Sequence, residues 1–268
     1  MDHRSEWIQE TLKPIANNHV SSVGWHRQSM CFMAETISKT DHIMPEFTLL
    51  DIAAVSWAFI WWVGYTIFAD ASSRRRNSIS AHMARNRHRW MEQMLQRNLR
   101  MVDTSIAGNL ITGISFFSST TILVLIGLIA LLGYTEKAIQ TVSALPFAVE
   151  TTAAVWECKV VLLVLIFIYA FFKFTWAFRL SNYCSILIGA APDPSAPDAA
   201  KAAARASRMS MMSAHNFNRG IRAYFFALSA LAWFYHPVAF IIGAAWVTLV
   251  LYNREFRSHA LDILAGHH

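Results

Sequence analysis

The sequence predicts an all-α fold: a polytopic transmembrane helical bundle of four spans, the last broken at His236-Pro237, with additional helices on the cytoplasmic surface. Three observations carry this prediction. Hydrophobic residues make up 55% of the 268 and the mean hydropathy is positive, which is more apolar than an ordinary soluble domain. Ser105 to Tyr134 contains no charge at all, and at about 1.5 Å per helical residue that run exceeds the roughly 30 Å hydrocarbon core of a bilayer. The basic residues, in formal excess by +6, gather between such runs as the positive-inside tendency predicts.

Residues 1–46 read as an outer-side extension. They hold Arg4, Lys13, Arg27 and Lys39 against six acidic residues, a balance that does not retain a segment on the cytoplasmic side. No signal-peptide core precedes residue 47, so the first span is expected to direct insertion itself. That span, Phe47 to Ala69, is rich in Trp and carries Asp51 one turn from its start, where a carboxylate still reaches the headgroups.

Asp70 to Asp103 contains Arg74, Arg75, Arg76, Arg85, Arg87, Arg89, Arg97 and Arg100. Such density marks the cytoplasmic side, with the first six expected at lipid headgroups. Trp90, Met91, Met94, Leu95, Met101 and Val102 recur at helical spacing, predicting an amphipathic helix along the inner surface that bends into the second span. At that joint Arg100 and Asp103 stand three apart and are expected to pair, with Arg97 beside them.

Along the second span Ser105, Asn109, Thr112, Ser119, Gly127 and Ala130 share one side. Small and weakly polar residues in a span favour close helix packing, because lipid gives helices no hydrophobic reason to associate; a pore-lining stripe is the alternative. Thr135 to Trp156 has Lys137 as its single basic residue and reads as an outer loop. The third span, from Trp156 to about Phe178, carries Lys159 and Lys173 near the ends of an uncharged stretch, where both are expected to snorkel.

A proline-bearing loop, PDPSAP, then separates off an Ala-rich helix with Lys201, Arg205 and Arg208. The last apolar block, Ile221 to Tyr252, must kink or break at Pro237, which cannot donate to the carbonyl of Trp233. One broken, tilted span is expected; the competitor is a helical hairpin, which would put Arg254, Arg257 and the tail 257–268 inside. The membrane domain is thus 47–256, in an orientation with the N-terminus outside, in a bacterial cytoplasmic (inner) membrane.

No catalytic motif, phosphate loop or metal-binding spacing is present, so neither an enzyme nor a bound cofactor or metal is expected. Nucleic acid is not an expected partner either, since no aromatic-basic platform accompanies the arginines. The three cysteines supply no disulfide framework. Cys31 and Cys158 fall on the same outer side, leaving one disulfide open, and Cys184 falls inside. His236, beside the broken backbone, is either a transport residue or a neutral imidazole bonded at the kink.

The segments QRNLRMVDTSIAGNLITGISFFSSTTILVL (96–125), FRLSNYCSILIGAAP (178–192) and NRGIRAYFFALSALAWFYHPVAFIIGAAWVTLVLYNREF (218–256) together resemble the domain of unknown function 599 family of bacterial and plant membrane proteins. The resemblance runs from about Leu49 to Phe256 and includes a turn at Arg179 to Asn182. It implies a four-span membrane protein with no established activity, and the family typically has Gly-Pro where this chain has His236-Pro237. Two functions follow as expectations. The first is a non-enzymatic accessory or scaffold subunit in contact with membrane lipid, forming a homo-oligomer or joining a larger membrane complex through its helices. The second is a channel or transporter with a polar path of Asp51, Asn109 and His236, for which no small-molecule substrate is identified.

Overall fold

A computed structural model describes residues 47–75, 78–146, 149 and 151–266; the extension expected over 1–46, with Cys31, lies outside them, as does Arg76. Every regular element among the described residues is helical: α1 (Leu49–Arg75), α2 (Ile79–Leu95), α3 (Met101–Leu132), α4 (Thr135–Ser143), α5 (Ala153–Gly189), α6 (Ala199–Leu231), a 3-10 turn (Ala232–Phe234), α7 (Pro237–Phe256) and α8 (His259–Ala265). Among the described residues four helices, α1, α3, α5 and α7 with its extension into α8, are long and apolar enough to cross a membrane. Local chemistry sets the helix starts. Ser78 Oγ accepts from Ala81 N and Thr152 Oγ1 from Val155 N, each satisfying a donor that the first helical turn leaves open. Pro237 stands at the first position of α7, where it has no hydrogen bond to lose.

Side-chain pairs fix the directions of the helices. α3 and α5 are antiparallel: Arg100 meets the carbonyls of Ala191 and Pro192, and Ser118 meets Thr175. α5 and α6 are antiparallel along their whole length, from Lys159 against Trp233, through Phe174 against Phe217, to Cys184 against Ala206. α1 and α7 run parallel, since Asp51 meets Trp233 at one end and Phe68 meets Tyr252 and Phe256 at the other. The bundle therefore has an Asp51 end and an Asp70 end, and the Arg-rich segment follows the latter.

The last apolar block breaks at the expected residues, but its halves do not form one span. They fold back as a hairpin, with the backbone of Gly243 against Ser229: a methyl group added at Gly243 would lie 3.5 Å from the Ser229 Cβ. Ala223, Ala227 and Ala230 on α6 and Ala244 on α7 are all buried, and such small side chains let helices approach closely without a hydrophobic drive. The turn is tied to the α4–α5 loop, where Tyr235 donates its hydroxyl to Pro146 O and accepts at its carbonyl from Val149 N. The hairpin returns the chain to the Asp70 end, where Glu255 Oε1 accepts from Ser80 N at 2.9 Å.

Among the described residues two apolar cores result. The larger joins α1, α5, α6 and α7 around Phe174, Phe226, Trp233 and Phe240. Here α6 lies so near α5 that a Cβ on Gly220 would stand 2.5 Å from the Phe174 ring. The smaller lies at the Asp70 end, where Met91, Met94 and Leu95 of α2 pack with Cys184, Ile188, Ala203 and Ala206. The expected amphipathic α2 thus buries its apolar face on protein, whereas Met101 and Val102 are exposed. The turn expected at Arg179 to Asn182 is absent. α5 continues through it because Arg179 Nε donates to Tyr183 Oη at 2.6 Å and Ser181 meets Ser213 of α6 at 2.6 Å.

Candidate functional sites at the two ends of the bundle

At the Asp51 end a charged pair is threaded through one indole. Asp51 closes the first turn of α1 by accepting from Thr48 Oγ1 at 2.6 Å, while Thr48 Oγ1 in turn accepts from Asp51 N. Its other oxygen accepts from Trp233 Nε1 at 2.7 Å. Lys159, for which the spacing predicted snorkelling, turns inward instead and is 4% exposed. Its Nζ donates to the Trp233 carbonyl at 3.1 Å and stands 5.1 Å above the Trp233 ring. Trp233 therefore joins the hairpin tip to α1 through its side chain and to α5 through its backbone. Outward snorkelling loses because the bundle offers a carbonyl, an aromatic face and the field of Asp51 together.

At the opposite end Asp70 gathers cations from α6. Arg219 donates to its Oδ2 through Nε at 2.8 Å and Nη2 at 2.7 Å, Arg222 Nη1 donates to Oδ1 at 2.7 Å, and His215 Nε2 lies 3.5 Å from Oδ2. Arg222 also stands over the Tyr65 ring. Sequence reasoning placed Asp70 in a loop and missed this network. Its one legible trace was Arg219 and Arg222, three apart and so on one helix face.

The joint between α2 and α3 forms, with different partners. Asp103, wholly buried, accepts at Oδ1 from Arg97 Nη1 and from Trp90 Nε1, the latter at 2.7 Å. Arg100 does not pair with Asp103; it reaches the Ala191 and Pro192 carbonyls at the end of α5. Those carbonyls lack helical acceptor duty, so a guanidinium there satisfies them and meets the negative end of the helix dipole. Asp103 Oδ2 makes no hydrogen bond among the described residues.

Ser105, Asn109, Thr112, Ser119, Gly127 and Ala130 are all exposed on α3, facing away from the bundle. Thr112 returns its hydroxyl to Gly108 O, but the Asn109 carboxamide has no hydrogen-bond partner among the described residues. The inward polar residues of α3 are instead Ser118, on Thr175, and Thr121, whose hydroxyl meets Tyr224 Oη at 2.6 Å. His236 caps α7 by accepting from Val238 N at Nδ1. Asp51 and His236 belong to the Asp51 end and Asn109 lies toward the other, so the three proposed transport residues do not converge.

Arg85 and Arg89 are exposed on α2, while Arg87 is half-buried, with burial lowering its guanidinium pKa and the neighbouring Cys184 opposing that shift. The side chains of Arg74 and Arg75, with Arg76, fall outside the described residues. Cys158 and Cys184 carry free thiols. Among the described residues no three His, Cys, Asp or Glu side chains are grouped to hold a metal ion.

A family model described as protein of unknown function DUF599 matches residues 53–260. No curated protein and no solved structure matches the chain.

Proposed function

Because the chain belongs to the DUF599 family of proteins of unknown function, its role has to be read from its surface, and we propose that it is a non-enzymatic accessory or scaffold subunit of a membrane assembly. It assembles with itself or with a larger complex through its helices, in a bacterial inner membrane, with the N-terminus outside and the Arg-rich segment inside. The exposed side of α3 supports this reading. α3 is the least embedded of the four apolar helices, with 11% of its most apolar window buried. Its outward side presents Ser119, Gly127 and Ala130, and a Cβ on Gly127 would meet nothing within 4 Å. A side so shallow lets a second helix approach to backbone distance, which is how helices associate in lipid. The orientation rests on the arginines between α1 and α3 and on those of α6, which lie at the same end.

Gly127→Leu tests the proposal without touching the monomer's own packing. Native mass measurement after gentle detergent extraction is expected to show an oligomer or complex for the wild type and its loss in Gly127→Leu, with thermal stability of the monomer unchanged. A strictly monomeric, partnerless wild type would refute the scaffold reading. The transport reading receives no support from three side chains that stand at separate places, two of them already engaged.

A further inference from the structure

We infer that the junction of α1, α5 and α6 at the Asp70 end binds the phosphate of an anionic phospholipid headgroup, held by Lys173 and the free edge of Arg219. The inference starts from a local imbalance of charge. Asp70 is already shared by Arg219 and Arg222, and Glu255, within electrostatic reach of Tyr65, accepts from Ser80 N. Lys173 lies within electrostatic reach of both Arg219 and Asp70, so among the described residues an ammonium joins two guanidiniums and His215 about these carboxylates.

Donors at this level of α5 and α6, where Phe174 meets Phe217 and Gly220, are unspent. Among the described residues Lys173 Nζ makes no hydrogen bond or ion pair and stands 5.4 Å above the Tyr169 ring. Arg219 commits Nε and Nη2 to Asp70, which leaves Nη1 and its two protons unused among the described residues. Tyr169, within electrostatic reach of Arg219 and Arg222, has an unbonded hydroxyl among the described residues. Three donors of this kind match a phosphate, which accepts from several directions and carries the charge that the junction lacks.

Depth selects the source of that phosphate. Asp70 follows Asp51 along one continuous helix, and the separation at helical rise is about 28 Å, close to the hydrocarbon thickness of a bilayer. With Asp51 at one boundary, the junction stands at the headgroups of the leaflet on the Arg-rich side. Ile67 of α1 and Phe172 of α5, beside the junction, are 64% and 66% exposed and offer apolar surface to the acyl chains. Basic clefts between spans on the cytoplasmic side suit anionic headgroups for this reason. The exposed Arg85 and Arg89 of α2 differ, being a surface attraction with no defined stoichiometry.

The test uses the full chain, delipidated in neutral detergent, with apparent melting temperature followed against added phosphatidylglycerol, phosphatidylcholine or inorganic phosphate. Phosphatidylglycerol is expected to raise the midpoint saturably and phosphatidylcholine to leave it. Lys173→Gln should weaken the apparent affinity about tenfold, the loss of one charged hydrogen bond of about 1.4 kcal/mol, and Lys173→Arg should retain most of it. Native mass spectra should show one tightly held phosphatidylglycerol per protomer, lost in Lys173→Gln. Equal binding by wild type and Lys173→Gln overturns the assignment, because general attraction to the arginines would then account for it. A midpoint raised as far by inorganic phosphate as by the lipid overturns the lipid source.

Discussion

Replacing Asp70 by Asn removes a carboxylate shared by two guanidiniums, and the structure says how the two will differ. The Arg222 side chain is 10% exposed and Asp70 11%, whereas Arg219 is 34% exposed. Stripping a buried cation of its partner costs about 3–5 kcal/mol. Arg219, with access to water, adds no more than about 1 kcal/mol. The Asn carbonyl can still accept one neutral hydrogen bond, recovering roughly 0.5–1.5 kcal/mol. The expected loss is therefore about 3 kcal/mol, which for a chain of this size is a fall of roughly 6–12 °C in melting temperature. Thermal unfolding of the purified protein in detergent measures it. The double change Asp70→Asn with Arg222→Gln should be less destabilised than the sum of the two single changes, because it removes the stranded charge as well. Strict additivity, or a fall under 2 °C for Asp70→Asn alone, would refute the reasoning.

Asp103→Asn should cost less, about 1–2 kcal/mol, since Arg97 is 41% exposed and can turn to water while Trp90 keeps an acceptor; tryptophan fluorescence with melting temperature reads both effects, and a loss larger than that of Asp70→Asn would contradict it. Gly220→Ala should destabilise by about 1–3 kcal/mol, because the new methyl meets the fully buried Phe174 ring on a neighbouring helix. Trp233→Phe keeps the ring beneath Lys159 but removes the donor to Asp51, with an expected loss of about 1–3 kcal/mol that should vanish in an Asp51→Leu background. Because the hairpin returns the chain, a cysteine replacing His259, whose side chain is 89% exposed, should react in sealed vesicles from the same side as one at Arg89; labelling from opposite faces would restore the single broken span.

What the sequence determined by itself was where the apolar helices lie and where the last block breaks, because length, apolarity and the placement of Pro are local properties. Thirty uncharged residues need no partner to be recognised as a span, and Pro237 ends a helix through its own missing N–H. The joint at Asp103 was legible as a place, since Arg97, Arg100 and Asp103 cluster in the chain, but its pairings were not. Arg100 left its near neighbour for carbonyls ninety residues away, where a helix end needed donors more. Only the tertiary structure decided which way each polar side chain turned. Lys159 at a span edge reads as a snorkelling residue until Trp233 and Asp51 are brought beside it. The direction of the last block depended on whether Gly243 could seat against Ser229, a contact that periodicity along one chain does not contain. The α3 stripe shows the same limit from the other side: its spacing placed six residues on one face, and only packing against α5 determined that this face looks away from the bundle.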